Sequence, residues 1–242
     1  MAIKTANPAL NERVFDQVRS QDNSRGMTIQ GTVNKTLISL AIVVVSAGFT
    51  WVNPHPRLMF FGAIAGLVLA LVTIFKKVWA PTTTPMYAAC QGLSLGGISV
   101  LYNQQYSGIV IQAIYLTFGT LFVLLMAYSS GKIRVTDNFR LGVVAATGGL
   151  LIGIIVNAFL MLFGMGLPIL YGNSLIGIGF SVVVVVIAAL NLVLDFDFIE
   201  QGAQRGAPKY MEWYGAFGLM VTLIWLYVEI LRLLSKFYSR RD

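Results

Sequence analysis

The sequence predicts an all-α polytopic membrane protein with seven transmembrane helices. Three observations lead there. Of 242 residues, 57% are hydrophobic and only 11% charged, against about 25% charged residues in an ordinary globular domain. The apolar residues run in continuous stretches, not in the roughly ten-residue alternating segments of a β-barrel. Seven such stretches approach the ~20 residues that a helix needs to cross the hydrocarbon.

A polar N-terminal tail, 1–32, comes first. Its Asn, Gln, Asp and Arg residues do not form a cleavable signal peptide, so the first span is expected to act as an uncleaved insertion signal. Spans are expected at 33–52, 58–75, 85–102, 107–128, 141–163, 175–194 and 213–234. The second and third are short, with 18 residues each, and Gln91, Ser94 and Ser99 dilute the third. A span that polar is stable only when packed inside a bundle. Asn53-Pro-His-Pro56 breaks the chain after span one, and Pro81 with Pro85 brackets the turn before span three. Asn103-Gln-Gln-Tyr106 joins spans three and four without a charge. Small-residue pairs four apart recur at Gly62/Gly66, Gly92/Gly96 and Gly149/Gly153. That spacing lets helix backbones approach closely, although 24 glycines produce some such pairs by chance. A basic tail, 235–242, ends the transmembrane domain of 33–234.

Basic residues set the expected orientation. Lys4, Arg13, Arg19, Arg25 and Lys35 precede or open span one. Lys76 and Lys77 lie in loop two–three, Lys132, Arg134 and Arg140 in loop four–five, and Arg205 and Lys209 in loop six–seven. The opposite loops hold only Arg57. The positive-inside rule therefore places the N-terminus in the cytoplasm. Arg232, Lys236, Arg240 and Arg241 break the pattern, since seven full crossings carry them outside; the alternative is an incomplete seventh span. The net charge of +7 is spread over turns and tails, so nucleic acid is not an expected partner.

The costly residues are the acidic ones. An Asp inside the hydrocarbon costs roughly 2.5 kcal/mol or more, and such residues usually handle ions or protons. Asp195 and Asp197 are two apart at the end of span six, so on a helix they point about 200° away from each other. Asn191 and Asp195 share a face that is expected to turn into the bundle. Asp197 and Glu200 share another, expected at the cytoplasmic loop. On span seven Thr222, Glu229 and Arg232 form a stripe, and Glu229 with Arg232 has ion-pair spacing. The bland reading makes Asp197, Glu200 and Glu212 solvated helix-end charges and the Glu229–Arg232 pair structural. Asp195 resists that reading, because a carboxylate at a helix C-terminus opposes the macrodipole. Desolvation favours a neutral acid and a cationic neighbour a charged one, so a site poised between them switches with proton concentration.

Enzyme chemistry finds little support. The sole histidine, His55, lies in a Pro-rich turn, Cys90 is the sole cysteine, and neither GxSxG nor a phosphate-binding glycine loop is present. Asp195 has no aspartate partner on another span, as intramembrane aspartyl proteolysis requires. No enzyme activity and no cofactor are expected.

The stretch Ile187-Ala-Ala-Leu-Asn-Leu-Val-Leu-Asp195-Phe-Asp-Phe-Ile199, a short charged loop, and Val228-Glu-Ile-Leu-Arg-Leu-Leu234 in span seven resemble Bax inhibitor/YccA-like membrane proteins. Asn7-Pro-Ala-Leu-Asn11, Gly31-Thr-Val-Asn-Lys35 and Pro168 resemble a bacterial branch of that family. The likeness covers nearly the whole chain in span number and is sharp over the last sixty residues or so. It implies seven helices with the last surrounded by the other six, and a pH-sensitive calcium leak. It also implies two aspartates, on helices six and seven, sharing a proton near the cytoplasmic side, with a basic residue by helix two holding the pore shut.

Asp195 matches the first aspartate by its Leu-Asp-Phe-x-x-Ile setting, and Lys76 or Lys77 stands as the basic latch. The second aspartate is missing: counted back from Arg232, its position is Thr222. This departure puts the two-carboxylate switch in question and leaves Glu212 or Glu229 as alternative acids. The ion-pathway candidates are thus Asp195, Asn191, Asp197, Thr222 and Glu229, with Lys76, Lys77 and Arg232 as latch or ion-pair residues. Asp195 is the candidate for transient Ca²⁺ contact. Two functions are expected as alternatives: a cation leak pathway for Ca²⁺ or H⁺ in a bacterial inner membrane, or a non-conducting partner of a membrane-bound AAA protease that binds the N-terminal tail. A monomer in the lipid bilayer is the expected state.

Overall fold

The computed structural model describes residues 26–165, 172 and 174–240. Lys4, Arg13, Arg19, Arg25, the 7–11 motif, Pro168 and Arg241 lie outside them. Seven α-helices follow in order: α1 (Ile29–Val52), α2 (Pro56–Phe75), α3 (Ala80–Gln105), α4 (Ile109–Ser129), α5 (Asp137–Leu162), α6 (Leu175–Gln204) and α7 (Met211–Tyr238). A one-turn 3₁₀ helix, Lys77–Trp79, links α2 to α3. Six of the seven are long and apolar enough to cross a membrane, and the exception is α3.

The helices are longer than their apolar cores because polar caps and turns extend them. Thr28 caps α1, its hydroxyl accepting from the Gly31 amide at 2.9 Å, so the expected tail boundary at 32 moves back one helical turn. The seventh helix continues past the expected boundary at 234 to Tyr238. The α6 helix does not stop at 194 but runs to Gln204, which places Asp195, Asp197 and Glu200 on helix rather than in a loop.

The polar α3 helix is buried, as its composition requires. Its Thr83 hydroxyl bonds the Thr73 hydroxyl of α2 at 2.7 Å, Thr84 donates to the Trp213 carbonyl, and Ser99 pairs with the Tyr227 hydroxyl at 2.7 Å. Two of the three small-residue pairs make its close contacts. A Cβ at Gly62 would meet the Cys90 carbonyl of α3, and one at Gly92 or Gly96 would meet backbone of α1. Gly149 and Gly153 of α5 have nothing within 4 Å of that position, so that pair packs no helix among the described residues.

The α7 helix is the centre of the bundle. It packs against α1, α3, α4 and α6, whereas α2 packs mainly on α3, and α5 mainly on α6. The last helix is therefore enclosed by four neighbours, not by all six. Leu226 and Leu231 of α7 and Leu192 of α6 are wholly buried in one apolar cluster.

Contacts at the two ends settle the topology. The Met27 amide donates to the Ala207 carbonyl at 2.7 Å, so the chain before α1 and the α6–α7 loop share one end. At the other end Lys236 donates to the Gly177 carbonyl at 3.1 Å, and Gln112 to the Tyr238 hydroxyl at 2.8 Å. With 28 residues, α7 is about 42 Å long and runs from one end to the other. The alternative of an incomplete seventh span is thereby corrected: Arg232 and Lys236 lie in the far half, and helix length decides against the charge pattern.

Candidate functional site

Because α5 leans mainly on α6, a gap remains between α5 and α7 with α6 as its floor. This gap is an open cleft of ≈490 Å³ lined by Arg140 and Val144 of α5, by Asn191, Asp195, Asp197 and Gln201 of α6, and by Tyr214, Gly215 and Gly218 of α7, among others.

Asp195 and Asp197 diverge as helix geometry demands, yet both border the cleft. Asp195 turns to α7: its Oδ1 lies 3.6 Å from where a Gly218 Cβ would be, and the Thr222 hydroxyl reaches its carboxyl. The proton of that hydroxyl is directed to the Gly218 carbonyl of its own helix at 3.3 Å. The Asp195 Oδ2 is closed off from solvent and has no hydrogen-bond partner among the described residues. A buried carboxylate oxygen left unbonded costs energy, so this atom is the least settled polar group in the cleft.

Asp197 turns to α5, where Arg140 donates to its Oδ2 at 2.6 Å, and Gln201 donates to the same oxygen at 2.7 Å. The expected solvated loop charge is thus a bridge between helices. Glu200 is a second one, bonded by the Tyr128 hydroxyl of α4. Asn191, one turn before Asp195, donates to the Thr147 hydroxyl of α5 and to the Ile187 carbonyl, both at 2.8 Å.

Lys76 and Lys77 do not reach Asp195. Their ammonium groups sit over aromatic rings, Lys76 at 4.7 Å from the Trp79 centroid and Lys77 at 5.3 Å from Tyr214. The turn between α2 and α3 holds them on the aromatic side of α7. The basic group on the cleft is Arg140, which the sequence offered only as one loop charge among several. Its position one turn into a Thr136-capped helix is the signal that could have separated it.

Glu229 and Arg232 form the pair that their spacing predicts, at 2.8 and 3.0 Å, with Glu229 only 4% exposed. They line a small separate void of ≈20 Å³ with Ser181. Thr222 and Glu229 are about 10 Å apart along α7, and the buried Leu223 and Leu226 come between them. The stripe is therefore interrupted, and Glu229 does not share the cleft.

Glu212 is the largest departure. Expected as a solvated charge, it is fully buried. Lys35 and Lys209 pair with it, the latter at 2.7 Å, and the Thr28 amide and hydroxyl donate to its Oε1 at 3.0 and 2.9 Å. Long-range partners 177 and 184 residues away are invisible to local spacing. Among the described residues no cluster of three His, Cys, Asp or Glu side chains is present, so any ion held by Asp195 would have to draw on neutral oxygens or water.

Comparison with curated proteins and with solved structures gave no match. A family model described as Bax inhibitor 1 like matches residues 7–239, which is nearly the whole chain. This multi-pass membrane protein, with Asp195 of its sixth helix set against its central seventh, belongs to the Bax inhibitor 1 like family.

Proposed function

We propose that the protein is a cation leak pathway whose proton-sensitive residue is Asp195. The observation that carries this reading is the polar cleft between α5, α6 and α7, in which an Asp195 carboxylate oxygen lies buried without a partner. A cation approaching that oxygen supplies the missing partner, and a proton does the same. The two compete for one atom, which makes cation passage depend on pH with a single carboxylate.

Thr222 then replaces a second acid by a neutral hydroxyl beside Asp195. It does not repel Asp195, so proton sharing between two carboxylates is not part of the mechanism. Arg140, held on Asp197, contributes a positive charge at the cleft wall that opposes cation entry. Leu192, Leu223 and Leu226 are buried in one cluster beyond Asp195 and close the path in this conformation. Conduction requires them to separate. The N-terminus and the Arg140 end face the cytoplasm, as the distribution of Lys and Arg requires, and the membrane is a bacterial inner membrane.

The test is Ca²⁺ flux into liposomes containing purified protein, from pH 6 to pH 8. Asp195→Asn should remove the pH dependence of the flux. Flux of the variant identical to wild type over that range overturns the proposal.

A further inference from the structure

We infer that Lys76 and Lys77, with Trp79 and Tyr214, form a headgroup site for anionic phospholipid at the α2–α3 turn. Both lysines are exposed, and neither forms an ion pair with a carboxylate among the described residues. They stand over the rings of Trp79 and Tyr214 instead. Cation–π contact holds an ammonium at a fixed place and leaves its charge uncompensated.

Phosphate is the anion that fits this charge, and the surroundings select a lipid as its source. Ile74, Phe75, Val78 and Trp79 flank the two lysines and are 46%, 81%, 65% and 54% exposed. A free anion gains nothing from that apolar rim, whereas a lipid places its phosphate on the lysines and its chains along Phe75 and Val78. The rim continues the lipid-facing side of α2, where Leu67, Val68 and Leu71 are exposed. Trp and Lys together at the end of a span are also the side chains that settle at the headgroup level. Lys35, over the Trp213 ring at 5.7 Å, is spent on Glu212, which sets the two free lysines apart. Tyr214 under Lys77 also lines the Asp195 cleft, so a bound lipid sits one side chain from it.

The experiment measures tryptophan quenching of the full-length protein by phosphatidylglycerol with brominated chains, against phosphatidylcholine with the same chains. The Trp79→Phe difference isolates the local signal. Phosphatidylglycerol should quench more strongly, and Lys76→Gln with Lys77→Gln should weaken its binding roughly thirty-fold, at about 1 kcal/mol per basic residue. Lys132→Gln with Arg134→Gln, two exposed charges at the same end, should leave binding unchanged. Equal quenching by the two lipids, or equal losses in the two double variants, overturns the site. Displacement by millimolar inorganic phosphate overturns the lipid as ligand. Should the Lys76/Lys77 variant not fold, the Trp79→Phe difference between the two lipids and the phosphate competition still decide. None of these readings depends on flux through Asp195.

Discussion

Two carboxylates of adjacent helices, Asp195 and Glu212, have opposite environments. Glu212 is fully buried, with Lys35, Lys209 and two donors from Thr28 around it. Asp195 borders an open cleft, yet one of its oxygens is buried with no hydrogen-bond partner among the described residues. Deep burial alone does not mark a functional acid. Glu212 is satisfied from both sides, and its bonds tie the start of α1 to the α6–α7 loop and the start of α7. Asp195 keeps an unmet bond, and a group in that condition responds to whatever ion or proton reaches it. The difference separates a rivet from a site.

Six substitutions break or sharpen that contrast. The largest effect is expected from Glu212→Gln, which leaves Lys35 facing an amide. Removing one partner of a buried ion pair costs about 3–5 kcal/mol, so thermal unfolding in detergent should fall by many degrees. Asp195→Asn should leave the same melting curve nearly unmoved while altering Ca²⁺ flux. Equal destabilisation by the two variants would erase the distinction.

Gly31→Ala comes next. A Cβ at this position would run into the Glu212 carboxylate. Overpacking of this kind costs about 1–3 kcal/mol, and the same unfolding assay reads it. Gly149→Ala, with open space at its Cβ, should show no comparable loss.

Arg140→Gln tests the cleft wall. Its guanidinium is nearly half exposed, so the pair with Asp197 stabilises by about 1 kcal/mol at most. Its effect should appear as faster cation flux with little change in stability. Unchanged flux would remove Arg140 from the pathway. The smallest effect on flux is expected from Glu229→Gln: its void is separate from the cleft, so the pH dependence of flux should persist. Loss of that pH dependence would move the proton-sensitive acid from Asp195 to Glu229.

Much of the fold was legible in the sequence because lipid is an exacting solvent. Continuous apolar runs placed all seven helices, and only their ends moved, where Thr28 and residues 195–204 extend helices beyond the hydrocarbon. The Asn191/Asp195 face, the divergence of Asp195 from Asp197 and the Glu229–Arg232 pair all follow from 3.6 residues per turn. Thr222 beside Asp195 was reached by counting along the resemblance, and the hydroxyl does lie there.

Local spacing could not supply the partners. The resemblance offers Lys76 or Lys77 as a basic latch; the structure lays them on Trp79 and Tyr214 and sets Arg140 of α5 at the cleft. Glu212 resembled a surface charge because its partners are up to 184 residues away. Sequence alone determined which segments are helices and which faces they present, since these depend on neighbours a few residues apart and on the surrounding lipid. Tertiary structure alone decided which charges are neutralised and which oxygen is left unbonded. Those outcomes depend on which helices pack together, and the gap beside α5 exists only because that helix leans mainly on α6.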